Sequence, residues 1–341
     1  MPVSLSVIVP AIDEATAITS LLADLAAQRD VVLQVIVADG GSSDDTVAVA
    51  RAAGAEVIAS APGRGIQMNT AAARARYDWL CFMHADSRLT HPGQLAAAIA
   101  CLDQIGDHRV AGHFALRFVR ETAGHAFFYR YLEAKSATSR RYSINGDQGL
   151  IMRARFFHEL GGFDTRLPFL EDQRMAAAIA ARGRWQLCPY RLATSARRFE
   201  QEGERARYLL MALIMAMYSA DVPCFFERAP AVYKRQSQTA RLVVTPYIDL
   251  LAALWREYGT CAALQVSWRM AGVAVSQSWQ PFLALDVALQ PVLGTRRYAS
   301  ALHDRLPTGV LHNRAAQGVL MVVGLCWVFG PLRLWCRLRN K

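Results

Sequence analysis

The sequence predicts an α/β fold, a mostly parallel sheet with helices on both faces, followed by a mainly helical region. Three observations carry that prediction. As far as His84, short runs rich in β-branched residues alternate with segments of helical apolar spacing. Two of the strand runs end on Asp, and beyond Glu204 the sequence shifts to apolar helical stretches broken by proline.

Residues 3–9 form the first strand run, ended by Pro10, and 14–28 place Ile18, Leu21, Leu22 and Leu25 on one helical face. Residues 31–38 are a second buried strand, so the chain opens β-α-β. Asp39-Gly-Gly-Ser-Ser-Asp-Asp-Thr46 then supplies turn and capping residues ahead of a helix at 47–53. A third strand at 57–59, a helix at 66–75 and a fourth strand at 79–83 lead into His84-Ala-Asp86. Right-handed crossovers between parallel strands put a binding site at the C-terminal strand ends. Further on, the pattern predicts strands at 110–119, 150–153 and 185–187, with helices at 126–132, 154–160 and 173–182. Beyond Glu204 the predicted helices are 206–220, about 241–256, 259–275 and 318–330.

Composition limits the function classes. In 341 residues, 53% apolar and 19% charged, nothing reads as disordered, and two domains fit the length, 1–235 and 236–341. The net charge of +10 is unevenly spread: residues 1–100 hold 6 basic and 10 acidic side chains, and 236–341 hold 11 and 4. An acidic front suits a metal cation, and a basic remainder suits phosphorylated ligands or an anionic membrane. No basic stripe with interleaved aromatics accompanies the charge, so no nucleic-acid partner is expected. Seven cysteines without CxxC spacing suit a reducing compartment, and the N-terminal run reads as a strand and not as a signal peptide, so a cytoplasmic location is expected.

The stretch 318–330 is 13 residues, or 18 if carried to Trp335, against the ~20 a bilayer span needs. Arg314 precedes it, and Arg333, Arg337, Arg339 and Lys341 follow with no acidic residue. It reads as a buried terminal helix with a basic tail, as an interfacial helix giving peripheral contact with the inner face of the cell membrane, or as a span.

Asp39 and Asp86 both sit at predicted strand ends. A nucleotide-diphosphate site needs one carboxylate to read the base or ribose and another to hold a divalent cation against the phosphates. Mg²⁺ or Mn²⁺ is commonly held by one or two carboxylates plus phosphate and water. Each Asp alone is an equally ordinary turn residue; the ordered pair is the signal. Arg64 and Gln67 lie in a Gly-flanked loop opening a helix, where anions gain from free N–H groups, although a surface Arg is the plainer alternative.

With those residues in view, Ser6-Val-Ile-Val-Pro10, Asp13-Glu14 and Val37-Ala-Asp39-Gly-Gly-Ser42 resemble the start of family 2 glycosyltransferases of the GT-A fold. Pro62-Gly-Arg-Gly-Ile-Gln-Met-Asn69, His84-Ala-Asp-Ser87, Gly146-Asp-Gln-Gly149, Gly161-Gly-Phe-Asp164 and Glu171-Asp172 are similar to a bacterial subgroup called radical-SAM/selenodomain-associated transferase 2. The resemblance covers roughly residues 3–235. It implies a nucleotide-sugar-dependent hexosyltransferase, with Glu14 and Asp39 at the nucleoside, Asp86 at the metal and diphosphate, and Asp172 as the base that deprotonates the acceptor hydroxyl. Arg64 and Gln67 would complete the donor side. Asp147, Gln148 and Glu171 would line the acceptor side, and Arg197 or Arg198 would close over the diphosphate. His84 stands where the family's first metal-motif Asp is expected, and Phe199 replaces an expected Trp. UDP is favoured over GDP by family frequency, a lipid-linked hydroxyl is among the acceptors implied, and the missing processive motif implies single transfers. Two alternatives stay open: a nucleotidyltransferase, disfavoured because no Gly-rich loop with Lys follows the first strand, and a catalytically inactive membrane-surface scaffold. For Glu171-Asp172 the plain alternative is a helix cap.

Overall fold

Alternation along the first strand sorts side chains to the two faces of the sheet. In the computed structural model, which describes residues 3–122, 124–166, 169–234, 242–307 and 313–339, β1 is Val3–Ala11. Leu5, Val7 and Val9 point into one core with Leu21, Leu22 and Leu25 of α1 (Ala15–Ala26), while Ile8 points into the other with Met68 and Ala71 of α3 (Arg64–Ala72). Period-two burial on both faces is what a sheet covered on both sides requires.

Around β1 lie β2 (Val31–Asp39), β3 (Glu56–Ala59) and β4 (Trp79–Phe82), all parallel. The remaining strands are β5 (Arg88–Leu89), β6 (Val110–Val119), β7 (Leu150–Arg153) and β8 (Arg184–Ser195), giving eight strands in the order β3-β2-β1-β4-β7-β6-β8-β5. β7 is antiparallel to both β4 and β6, and β5 to β8, while β6 and β8 are parallel. The sheet is therefore mixed and mostly parallel, with helices on both faces, as expected. α2 (Thr46–Ala52) follows the Asp39 loop. α4 (Gln94–Asp103), which the sequence reading did not anticipate, buries Leu95, Ala98, Ile99 and Leu102 in the β1 core.

α5 (Ala126–Ser136) and α6 (Ala154–Leu160) flank β7 in the chain, and α7 (Glu171–Arg182) precedes β8. The chain divides into two compact units, residues 1–119 with 132–195, and 120–131 with 196–341. The division at 195/196 comes earlier than the expected 235/236 because the chain leaves the sheet at the end of β8, and among the described residues only helices follow.

In the second unit, α8 (Arg197–Glu202), α9 (Glu204–Ser219), α10 (Pro223–Lys234), α11 (Thr245–Ser276), α12 (Trp279–Leu293) and α13 (Tyr298–Arg305) precede α14 (Arg314–Trp327). α8, α10, α12 and α13 are additional to the expected helices; Pro230 and Pro291 inside two of them mask their periodicity. α11 breaks at Gly259, whose φ of 73° is left-handed, matching the expected boundary between 241–256 and 259–275. Arg241, the start of the first of those stretches, and Lys341 of the basic tail lie outside the described residues. The last helix does not stop at Pro331. A π-turn at Val328–Leu332 absorbs the missing N–H, and α15 (Arg333–Arg339) continues the rod.

Candidate active site

Three parallel strands deliver their C-terminal ends to one edge of the first unit. In the register Ala11 faces Asp39 and Ile8 faces Phe82, so Asp39 and the His84-Ala-Asp86 turn leave strands on either side of β1. The Asp39 carboxylate closes its own loop, accepting from the Gly41 N–H at 3.2 Å and the Ser42 N–H at 3.1 Å. Beside it, Asp13 (φ 53°) accepts from the Ser43 N–H at 2.7 Å. Asp44 accepts from the Ala15 N–H at 3.1 Å and from the Thr46 hydroxyl, the bond that chiefly holds its carboxyl below the usual range. The Glu14 N–H donates to Thr46 Oγ1 at 2.8 Å, which leaves half-buried Glu14 at the head of α1. Gln67, expected on the donor side, is buried. Its amide donates to Ala11 O at 3.0 Å and Ala38 O at 2.8 Å, so it clasps the ends of β1 and β2 from behind.

A second cluster forms where α7 begins. Leu170 carries a left-handed φ of 69° just before Glu171, a conformation costing about 1 kcal/mol or more for a side chain of this size. Asp172 then takes two backbone donors, Gly146 N–H on Oδ2 and Gln173 N–H on Oδ1, each at 2.8 Å. Gln173 binds the same loop in return, its amide donating to Ile144 O at 2.8 Å and Asn145 Oδ1 at 3.0 Å. Gly146 sits close under His84. A Cβ there would stand 2.9 Å from His84 Nε2 and 3.4 Å from Asp172 Cβ, so a side chain at this position would oblige the His84 ring to move where the His84 turn, the 144–148 loop and α7 meet. The N-cap of α7 is Leu170, so Asp172 is a first-turn residue and not the cap; its carboxylate takes the neighbouring Gln173 N–H and, beyond the helix, that of Gly146.

Asp147 stands electrostatically between the Asp86 turn and Asp172. Its Oδ1 is buried with no hydrogen-bond partner although the residue as a whole is half-buried. Burial, then the charges of Asp172 and Asp86, push its carboxyl up to about 7, with Arg64 opposing. Asp86, Asp147, Asp172 and Arg64 therefore share one electrostatic neighbourhood. Arg64 also lies 3.4 Å from Glu171, whose side chain is 3% exposed against 43% for Arg64. Burial raises the Glu171 carboxyl, and the Arg64 charge pulls it back. Beside these groups is a hollow of about 30 Å³ between Phe82, Met175 and Trp185, with His84 and Asp172 in its wall.

Folded Asp147 has a higher pKa than its unfolded reference of 3.8, so the folded state binds its proton more tightly. Its stabilising contribution is complete below that reference and is lost as pH rises through about 7. In metal-free buffer, Asp147→Asn is expected to flatten the stability profile across that window and to gain on the parent chain at pH 8. At 1.36 kcal/mol per pH unit the gain is at most ~4 kcal/mol, and urea titrations at several pH values read it.

Two acceptor-side expectations change. Gln148 is fully buried, with Oε1 on His113 Nδ1 at 3.0 Å and Nε2 donating to Ser143 O at 2.6 Å, so it braces the loop and presents nothing to a ligand. Glu171 is buried under Arg64 and likewise does not face outward. Sequence reasoning missed His113 and Gln173. The signal for His113 was a lone imidazole inside the apolar run 110–119; burial drives its pKa down to about 4, so it serves as a neutral hydrogen-bonding group. Gln148→Leu strands the imidazole and the Ser143 carbonyl. At about 1–3 kcal/mol for each orphaned buried group, the urea midpoint should fall by about 2 kcal/mol or more in stability with an unchanged slope.

Among the described residues, no group of three or more His, Cys, Asp and Glu stands close enough to cage a metal unaided. The model of glycosyl transferase family 2 matches residues 6–161, which hold both strand-end Asp positions and the Gly146 loop. That match covers 156 of the 341 residues and, apart from residues 120–131, lies within the first unit. The chain's fold is the GT-A arrangement expected. The chain is also similar to S. aureus TarS residues 1–349, at 16% identity over 89% of this chain and 91% of that one, with a TM-score of 0.46. It is similar to the mannosyltransferase PcManGT from Pyrobaculum calidifontis in complex with GDP-Man and Mn²⁺, at 19% identity over 86% and 88%, TM-score 0.47. A third likeness is glucosyl-3-phosphoglycerate synthase from Mycobacterium tuberculosis, at 22% identity over 45% and 57%, TM-score 0.34. No curated protein sequence matches the chain. Asp172 follows the matched residues and reaches back to Gly146 inside them.

Proposed function

We propose that the protein moves one sugar from a nucleotide diphosphate sugar to a hydroxyl acceptor, inverting the anomeric centre, with Asp172 as the general base. One observation carries this reading: the Asp172 carboxylate, fixed by the Gly146 and Gln173 N–H groups, stands in the same charged neighbourhood as Asp86 and Asp147. A base must be oriented and within reach of the proton it takes, and two backbone donors orient this one. Asp39 and Glu14 are assigned to the nucleoside. Arg64, with nearly half of its side chain exposed, is assigned to the diphosphate, for which it would exchange its 3.4 Å contact with Glu171. Asp147 is assigned to the acceptor side.

The residues fit a divalent cation. Asp147 Oδ1 is an orphaned buried oxygen, and the Asp86 and Asp172 charges around it call for positive charge. Asp86 would hold Mg²⁺ or Mn²⁺ together with donor phosphates and water, a small hard-ion site that needs no protein cage. When bound, the cation supplies neutralisation of the departing diphosphate. His84, packed on Gly146, is assigned to shaping the turn. A cytoplasmic setting is supported by seven cysteines that are all free.

The test is a hydrolysis screen of purified protein on a panel of UDP- and GDP-sugars with Mg²⁺ and Mn²⁺. Slow metal-dependent release of the nucleotide from one donor is the expected result, UDP-sugars first. No turnover of any donor under any metal would overturn the reading.

A further inference from the structure

The last helix of the second unit is not the buried terminal helix its composition allows. From Arg314 to Cys336 it runs 23 residues, and its most apolar 18-residue window has a mean hydropathy of 1.8 with 11% of that window buried. Val319, Val322, Val323 and Leu334 are 63%, 55%, 56% and 60% exposed, and Trp327 and Trp335 are exposed beside them. At 100° per residue Val319, Val322, Val323 and Trp327 fall within about 140° of one another, on one side of the rod. Leu332 and Cys336 fall on the other, buried against Val244 and Ile248. The inner side also carries the polar ties: Arg333 pairs with Asp249 at 2.7 Å, and Gln317 donates to Trp268 O at 2.7 Å. Among the described side chains of 319–336 the outer side thus carries no charge, and Arg333 is paired inward.

What surrounds this face decides its occupant. Residues 313–341 contain five basic and no acidic side chains, with Arg314 before the apolar stretch and Arg337, Arg339 and Lys341 after it. A second copy would bring the same cations against these in either orientation, whereas an anionic bilayer offers the complementary charge and a place for the apolar face. Trp327 and Trp335 add the amphipathic rings that settle at headgroup depth. The orientation follows from the inner side. A spanning helix would carry the Asp249–Arg333 pair and exposed Arg256, Glu257 and Arg269 of α11 into hydrocarbon, whereas a helix lying in the plane leaves them in water.

We propose that the second unit docks on an anionic membrane surface through the outer face of helix 314–336, lying in the interface without crossing it. The proposal goes beyond sugar transfer and does not depend on it. The full chain is sedimented with phosphatidylcholine vesicles containing or lacking phosphatidylglycerol, and donor hydrolysis is read on the same preparation as an independent signal. The expected result is binding to the anionic vesicles that weakens in 0.5 M salt, where the Debye length falls to about 4 Å. Val319→Asp with Val323→Asp should cut the bound fraction about tenfold or more without altering thermal unfolding, since both sites are exposed. Arg314→Glu with Arg337→Glu and Arg339→Glu should abolish the preference for anionic lipid, each cation being worth about a fivefold change. Absence of binding, or undiminished binding by the Val319/Val323 variant, would overturn the proposal. So would dimerisation without lipid that the same variant disperses, which would assign the face to a second copy. Protein released only by detergent and not by alkaline carbonate would overturn in-plane seating.

Discussion

Asp172→Asn is expected to lower the rate of sugar transfer by about 10²–10⁴-fold while leaving nucleotide affinity near that of the parent chain. Asn matches Asp in size and keeps one oxygen to accept from either Gly146 or Gln173, so the loop and α7 stay joined at the loss of one hydrogen bond of about 1 kcal/mol. What disappears is the ability to take a proton. A carboxylate that served only to brace the start of α7 would show the opposite pattern, a small loss of stability and no change in turnover. Transfer kinetics and calorimetric titration of UDP on the same preparation separate the two: full retained activity removes Asp172 as base, and lost UDP binding says that the substitution damaged the donor pocket. The position is sensitive because Asp172 lies at the meeting of three segments. Gly146→Ala would disturb the same junction by driving a methyl group to 2.9 Å from His84, but without the clean distinction between proton transfer and packing.

How far the sequence discloses this site depends on whether the signal is local. The alternation in β1 and the helical stripe in α1 are set by neighbours one to four residues away, so both faces of the sheet are legible, and so are Asp39 and Asp86 at strand ends. β8 shows the limit. The readable strand stops at 187, whereas the real one continues to Ser195 through an irregularity opposite His113 and Ala115, where Pro189 precedes Tyr190 at φ 66°. Partners far apart in the chain leave no periodic trace. Nothing near Gln148 announces that His113 will consume its Oε1, so a residue that looks suited to hydroxyls is spent inside the fold. Asp172 and Gly146 are both conspicuous motif residues, yet their bond is a tertiary fact. Proline misleads in the other direction, since Pro331 reads as a stop and the backbone passes it in a π-turn.

Asp86→Ala should have the other large effect, visible in two unrelated measurements. With metal, the variant is expected to lose the Mn²⁺-dependent part of UDP binding and to slow transfer by about 10²–10³-fold, the scale on which a single stabiliser of developing charge is felt. Without metal, removing one of the two like charges that help hold the Asp147 carboxyl near 7 should move the pH at which stability is lost toward acid. The sign is fixed, because fewer neighbouring anions make Asp147 easier to ionise in the folded state and narrow its gap from 3.8. The second measurement needs no substrate and no cation, so it reports whether Asp86 stands in the Asp147 cluster independently of whether a metal sits there. A shifted stability profile with unchanged Mn²⁺-dependent binding would keep the cluster and move the cation elsewhere. An unchanged profile with lost binding would do the reverse, leaving Asp86 as a metal ligand outside Asp147's reach. Only the joint loss agrees with one cleft in which the diphosphate leaves at Asp86 while the acceptor is deprotonated at Asp172.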